Sequence, residues 1–100
     1  METRLDAALA DRRKQEARRA RAVAALPAAH DGAEREIAAA RRIIRGHRGA
    51  VGSSARTLLA DAERLLADSR SDDDPVTALR SAGAATERAT EAMQLSLIHI

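Results

Sequence analysis

An all-α fold is predicted for this 100-residue chain: Ala-rich antiparallel helical hairpins packed as a coiled-coil-like bundle of about four helices. Three observations predict it. Alanine, the strongest helix former, supplies 25 of the apolar residues that make up 45% of the chain. Apolar positions recur at three- and four-residue steps, with no strand-type alternation. Phe, Tyr and Trp are absent, so the large apolar areas that usually anchor a core are missing, which favours slender packed helices over a stout globule.

The first helix is expected over about 2–26. Its apolar stripe is sparse, with Leu5 and Leu9 at one end, Val23 and Leu26 at the other, and Arg12, Arg13, Lys14, Arg18, Arg19 and Arg21 between them. Pro27 is expected to close it, because proline lacks the N–H and its ring clashes with the preceding turn. The second helix, over 32–45, opens on Asp31-Gly32-Ala33-Glu34 with capping-box spacing and carries Ala33, Ile37, Ala40 and Ile44 on one face.

Gly46, Gly49 and Gly52 then mark the main break, and Ser53 or Ser54 is expected to cap the third helix, over 54–69. Its Leu58-Leu59-Ala60-Asp61 returns seven residues later as Leu65-Leu66-Ala67-Asp68, with Ala55 and Ala62 on the same stripe. Ser71-Asp72-Asp73-Asp74 forms the next turn, and Pro75 suits the first position of a fourth helix over 75–94, which carries Val76, Leu79, Ala82, Ala85, Ala89 and Met93. The expected packing seam is Ile37, Ile44, Leu58, Leu59, Leu65, Leu66, Leu79 and Met93.

Composition narrows the chemistry. Cysteine is absent, which excludes disulfides and thiolate chemistry. No apolar run approaches the roughly 20 residues that span a bilayer, and the first nine residues lack the layout of a signal peptide. Residues 1–50 hold twelve Arg/Lys against seven Asp/Glu, and residues 51–100 hold five against eight, so the halves attract. His30, His47 and His99 are scattered, with no ligand spacing for a metal. Asp72, Asp73 and Asp74 lack the alternation and closing Glu of a calcium loop. No Ser has a His and Asp partner at a recognisable motif. No catalytic residue, cofactor or metal is therefore expected.

Two basic clusters invite an anion. Arg41, Arg42, Arg45 and Arg48 lead into a Gly- and Ser-containing turn and are a candidate anion contact, although no Gly-Lys-Ser/Thr ending makes it a P-loop. The run from Arg12 to Arg21 has neither the aromatic platforms of single-strand binders nor a duplex-docking motif, and Glu16 within a turn of Arg12 and Arg19 fits a solvated face. Nucleic acid is not the expected partner.

The last six residues, Leu95-Ser96-Leu97-Ile98-His99-Ile100, read as the codons CTG-TCT-CTT-ATA-CAC-ATC, the mosaic-end adapter of transposase-based sequencing libraries. The expectation is an adapter-derived tail at 95–100 on a fragment, 1–94, of a chain that continues past Gln94.

The stretch Arg48-Gly49-Ala50-Val51-Gly52-Ser53-Ser54-Ala55-Arg56-Thr57-Leu58-Leu59-Ala60-Asp61-Ala62-Glu63-Arg64-Leu65-Leu66 resembles the C-terminal helical region of actinobacterial TPM-domain-containing proteins. Asp74-Pro75-Val76-Thr77-Ala78-Leu79 matches the Asp-Pro spacer that follows it there, and Leu5-Asp6-Ala7-Ala8-Leu9-Ala10 also fits. The chain departs from the family at Ile43-Ile44-Arg45-Gly46-His47 and at Ser54, where Glu is usual. The resemblance implies a membrane-anchored parent in which a TPM domain, sometimes associated with phosphatase activity, and a transmembrane helix precede this segment, with Met1 internal and the segment on the cytoplasmic side. It transfers no catalytic residue. The function expected is a non-catalytic spacer or interaction segment, with other helices of the parent or a protein as partner. The alternative is a small Arg-rich module that binds anions or nucleic acid.

Overall fold

The computed structural model describes residues 3–46 and 52–98. Three helices account for nearly all of them: α1 (Arg4–Gly46), α2 (Ser53–Ser71) and α3 (Pro75–Ile98), with no strand among the described residues. The chain is an all-α bundle. Glu34 and Arg41 of α1 pair with Arg70 and Glu63 of α2, so these two helices run antiparallel. Arg19 faces Asp74 while Glu36 accepts from the Thr90 hydroxyl, so α3 runs parallel to α1. Helix α3 packs closely along both others, which touch each other far less.

The expected break at Pro27 does not occur, and the two helices expected over 2–26 and 32–45 are one. Pro27 is exposed, and the carbonyl that loses its partner belongs to Val23, itself 53% exposed, on the solvent side of the helix. Ala22 before the proline and Ala33, Ile37 and Ala40 after it are all buried, so packing on both flanks offsets a local cost of about 3 kcal/mol. Asp31 and Gly32 accordingly lie inside α1 and cap nothing, and Glu34 reaches across to Arg70. The cap of α1 is Thr3. Its hydroxyl accepts from the Asp6 N–H at 3.2 Å, and the Asp6 carboxylate accepts from the Thr3 N–H at 3.3 Å, a reciprocal capping box.

Helix α2 starts one residue earlier than expected. Gly52 takes the N-cap position in an extended conformation with no side-chain cap bond, so Ser53 and Ser54 enter the helix and neither caps it. Residues 95–98 continue α3 beyond 94, and Ser96 is fully buried, its hydroxyl donating to the Ala92 carbonyl at 2.7 Å.

The core is built mostly from alanine. In α2 the buried positions Ala55, Ala62 and Ser69 recur every seven residues. In α3 Ala78, Ala82, Ala85, Ala89, Ala92 and Ser96 are buried at alternating four- and three-residue steps. Ile37 and Leu66 are the large side chains inserted among them, with Ala33, Ala62, Ala85 and Ala89 around and Leu59 and Leu65 packed against the cluster. Ile44, Leu58, Leu79 and Met93 are half-buried at its margins. Small side chains let helix axes approach toward the short end of the roughly 8–10 Å range.

The outline is a rod of 67 × 21 × 16 Å. A helix of 43 residues is about 64 Å long at 1.5 Å per residue, so the long axis of the rod is α1 itself. Among the described residues Ala22 is the first that is buried, and residues 3–21 are exposed throughout. The start of α1 thus runs on past the other two helices as an overhang, bordered by the start of α3 only along residues 12–19.

Enlarging Ala85 to leucine is expected to destabilise the fold by about 1–3 kcal/mol, because the helices must move apart to admit it. Gly83→Ala, two residues away, is expected to stabilise by up to about 1 kcal/mol, since a Cβ there meets no atom within 4 Å. Thermal unfolding followed by circular dichroism checks both; an Ala85→Leu melting temperature at or above that of the parent sequence disproves the close-packed seam.

Candidate functional site

One polar chain ties all three helices together. Ser69 is 2% exposed, and its hydroxyl donates to the Ala78 carbonyl of α3 at 2.5 Å. A hydroxyl has one proton, so toward His30 of α1, 2.8 Å away at Nε2, Ser69 acts as acceptor and the imidazole carries its proton on Nε2. A Ser–His contact is also the geometry of an activated nucleophile, but that role needs the reverse arrangement, with the hydroxyl donating to the ring and open to substrate. Here the serine proton is held by a backbone carbonyl and the side chain is covered. The group is a structural clasp at the level where α2 turns into α3. Its signal in the sequence is the seven-residue repeat Ala55, Ala62, Ser69: a hydroxyl on a buried stripe has to be hydrogen-bonded.

The turn below the clasp is built by aspartates. Asp72 Oδ1 accepts from the Asp74 N–H at 2.8 Å, and Asp74 Oδ2 accepts from the Thr77 hydroxyl at 2.6 Å and the Thr77 N–H at 3.1 Å. Pro75 takes the first helical position, where its missing N–H costs nothing. The Thr77 hydroxyl bond, the Thr77 and Val76 N–H groups and the Arg19 guanidinium hold the Asp74 carboxyl below the usual carboxylate range, against a smaller upward pull from burial.

On the side of this turn away from the clasp, the overhang of α1 and the start of α3 border an open notch of about 470 Å³. Arg12, Arg18, Arg19 and Arg80 line it together with Glu16 and Asp74, so the cations share the space with two carboxylates. Arg19 approaches Asp74 at 3.9 Å, with both side chains at least half exposed. Such exposed pairs contribute about 0–1 kcal/mol each and set register more than stability.

Of the expected anion contact Arg41, Arg42, Arg45 and Arg48, the first three lie among the described residues. Arg41 pairs with Glu63 at 3.1 Å. Arg41 and Arg45 line a shallow groove with Ile44, Arg56 and Leu59, and Arg42 lies outside it. Arg48 falls outside the described residues, as do His47 and His99. A second groove between α1 and α2 is lined by Ile37 and Leu66 and flanked by the Glu34–Arg70 and Arg41–Glu63 pairs.

Of the seam residues, Ile37 and Leu66 are buried, Leu59 and Leu65 lean on the core, and Ile44, Leu58, Leu79 and Met93 sit half-buried. No group of three His, Asp or Glu side chains among the described residues is placed to hold a metal ion. No described helix is long and apolar enough to cross a membrane. Comparison of the chain with protein-family models, with curated proteins and with solved structures finds no match.

Ser69→Ala removes the acceptor of His30 and the donor to Ala78 together and is expected to destabilise by about 1–3 kcal/mol. An unchanged unfolding midpoint in denaturant would contradict the clasp. Because Asp74 is depressed in the folded state, its contribution is complete above the ordinary carboxylate range and is lost as pH falls through the lower, folded value. Asp74→Asn, which keeps the cap acceptor without the charge, is expected to flatten the loss of melting temperature below about pH 4, whereas Asp74→Ala lowers it at every pH. A pH series of thermal melts on the three proteins distinguishes these outcomes.

Proposed function

We propose that this chain is a non-catalytic helical spacer and protein-interaction segment, the C-terminal helical region of a larger membrane-anchored TPM-domain protein of actinobacterial type. The observation that carries the spacer reading is the 67 Å rod whose first helix outruns the other two. A rod of this kind separates what is attached to its ends and offers side surfaces to other helices. The seven-residue repeat of buried positions in α2 and α3 supports a coiled-coil type of packing. The parent is suggested by the Arg48–Leu66 and Asp74–Leu79 resemblances, of which the part from Gly52 onward forms the start of α2 and the start of α3. In this reading any phosphatase-type activity belongs to a TPM domain elsewhere in the parent, and the segment lies on the cytoplasmic side.

A second reading, a basic module for anions or nucleic acid, is favoured by one observation. Residues 4–21 carry seven Arg/Lys against three Asp/Glu and are all exposed. Titration with a labelled DNA duplex at two salt concentrations tests it, since binding through phosphates weakens steeply with salt.

Sequencing the locus across codon 94 and upstream of Met1 tests the parent. The expected result is a frame that continues as an Ala-rich helix and is preceded by a membrane span and a TPM domain. A frame that starts at Met1 and stops after Ile100 overturns the family assignment.

A further inference from the structure

The overhang of α1 carries a stripe that is complementary to itself. Leu5, Leu9, Arg12, Glu16, Arg19 and Val23 follow one another at steps of four, three, four, three and four, the spacing of one helix face. All six are exposed, Leu5 by 67%, Leu9 by 39% and Val23 by 53%, while Arg12, Glu16 and Arg19 also border the open notch beside α3, where Arg19 approaches Asp74. Among the described residues, these leucines and this valine are three of the four large apolar side chains that the fold leaves most open. Reversed, the stripe has apolar ends and a centre in which Arg12 and Glu16 exchange places.

We propose that the occupant of this face is a second copy of the same chain, its overhang laid antiparallel on the first about a two-fold axis near the middle of the stripe. Leu5 then meets the partner copy's Val23, Leu9 packs on the aliphatic stem of the partner copy's Arg19, and Arg12 pairs with the partner copy's Glu16, each contact occurring twice. Antiparallel helices that pack through heptads place the two kinds of seam position opposite each other, and all three pairings obey that rule. A two-fold interface demands such self-complementarity, with residue i on j and j on i. The pairing also brings Arg4 of each copy near the level of Val23 in the other, beside the acidic turn at Asp72, Asp73 and Asp74. The net positive charge of the overhang opposes association, so the two Arg12–Glu16 contacts decide register and orientation.

This inference deepens the interaction reading by naming the partner, and it does not depend on the identity of the parent. A monomeric chain would end the self-pairing and leave the locus test of the spacer reading untouched.

Sedimentation equilibrium on the 100-residue chain, up to about millimolar concentration, reads the association directly, because a seam this short yields a weak dimer. The expected result is a monomer–dimer equilibrium that Glu16→Arg weakens by roughly ten-fold or more, since like charges then face each other twice. Glu16→Gln weakens it less, and the exchanged double variant Arg12→Glu with Glu16→Arg restores it. Circular dichroism on each variant confirms that α1 stays helical. A chain that is monomeric throughout overturns the proposal, and so does a dimer indifferent to Glu16→Arg or one that the double exchange fails to restore. A monomer that binds a labelled duplex through Arg12 and Arg19 assigns the face to a polyanion instead and equally overturns it.

Discussion

Close approach between alanine-lined helix faces is the constraint on which the rest of this molecule depends. Each buried alanine methyl removes little apolar surface from water, so a core of this composition is thin by area. Two other properties offset that deficit. Alanine loses no side-chain rotamer freedom on burial and has the highest helix propensity, so helices made of it carry a smaller entropic cost into the bundle. It also leaves the backbones near each other, where many weak dispersion contacts accumulate. The ridge Ala78, Ala82, Ala85, Ala89 and Ala92 makes α3 the helix against which both others pack, and Ile37 and Leu66 fill the space left between them.

A core of small side chains specifies position poorly by shape alone, because one alanine resembles the next. Polar contacts resolve that ambiguity. The chain His30–Ser69–Ala78 joins α1, α2 and α3 at one level, and a slip of α2 along the seam would break both cross-helix bonds of the Ser69 hydroxyl. The cross-helix pairs Glu34–Arg70 and Arg41–Glu63 agree with the same alignment from the surface, and the Thr90–Glu36 bond does so for α3. Stability and register are therefore carried by different residues in this fold, the first by alanine and the second by a few polar groups.

The overhang follows from the same division. Where α2 turns into α3, the buried stripe of α1 has nothing left to meet, and the side chains beyond Ala22 change from alanine and isoleucine to arginine, lysine and glutamate. That stretch stays helical because its residues are strong helix formers and because Thr3 and Asp6 close its first turn. Its chemistry is set by exposure: a charged face with two leucines and a valine, outside the core.

Local sequence determined the helical class, the turn at Ser71–Pro75 with its aspartate caps, and the buried stripe of α2 at Ala55, Ala62 and Leu66, because these rest on propensity, periodicity and capping within a few residues. The sequence also marks the overhang, since no apolar stripe runs unbroken through residues 10–22. Tertiary structure decided the rest. Pro27 is a breaker by local rules, yet α1 passes through it, because contacts on either side with helices far away in the chain outweigh the lost hydrogen bond. Hydrophobicity singles out large side chains as the seam, yet Leu79 and Met93 are half-buried and alanines hold the centre, because the spacing between helix axes, which no single helix contains, selects side-chain size. The pairing of His30 with Ser69 spans 39 residues and exists only once α2 has folded back along α1.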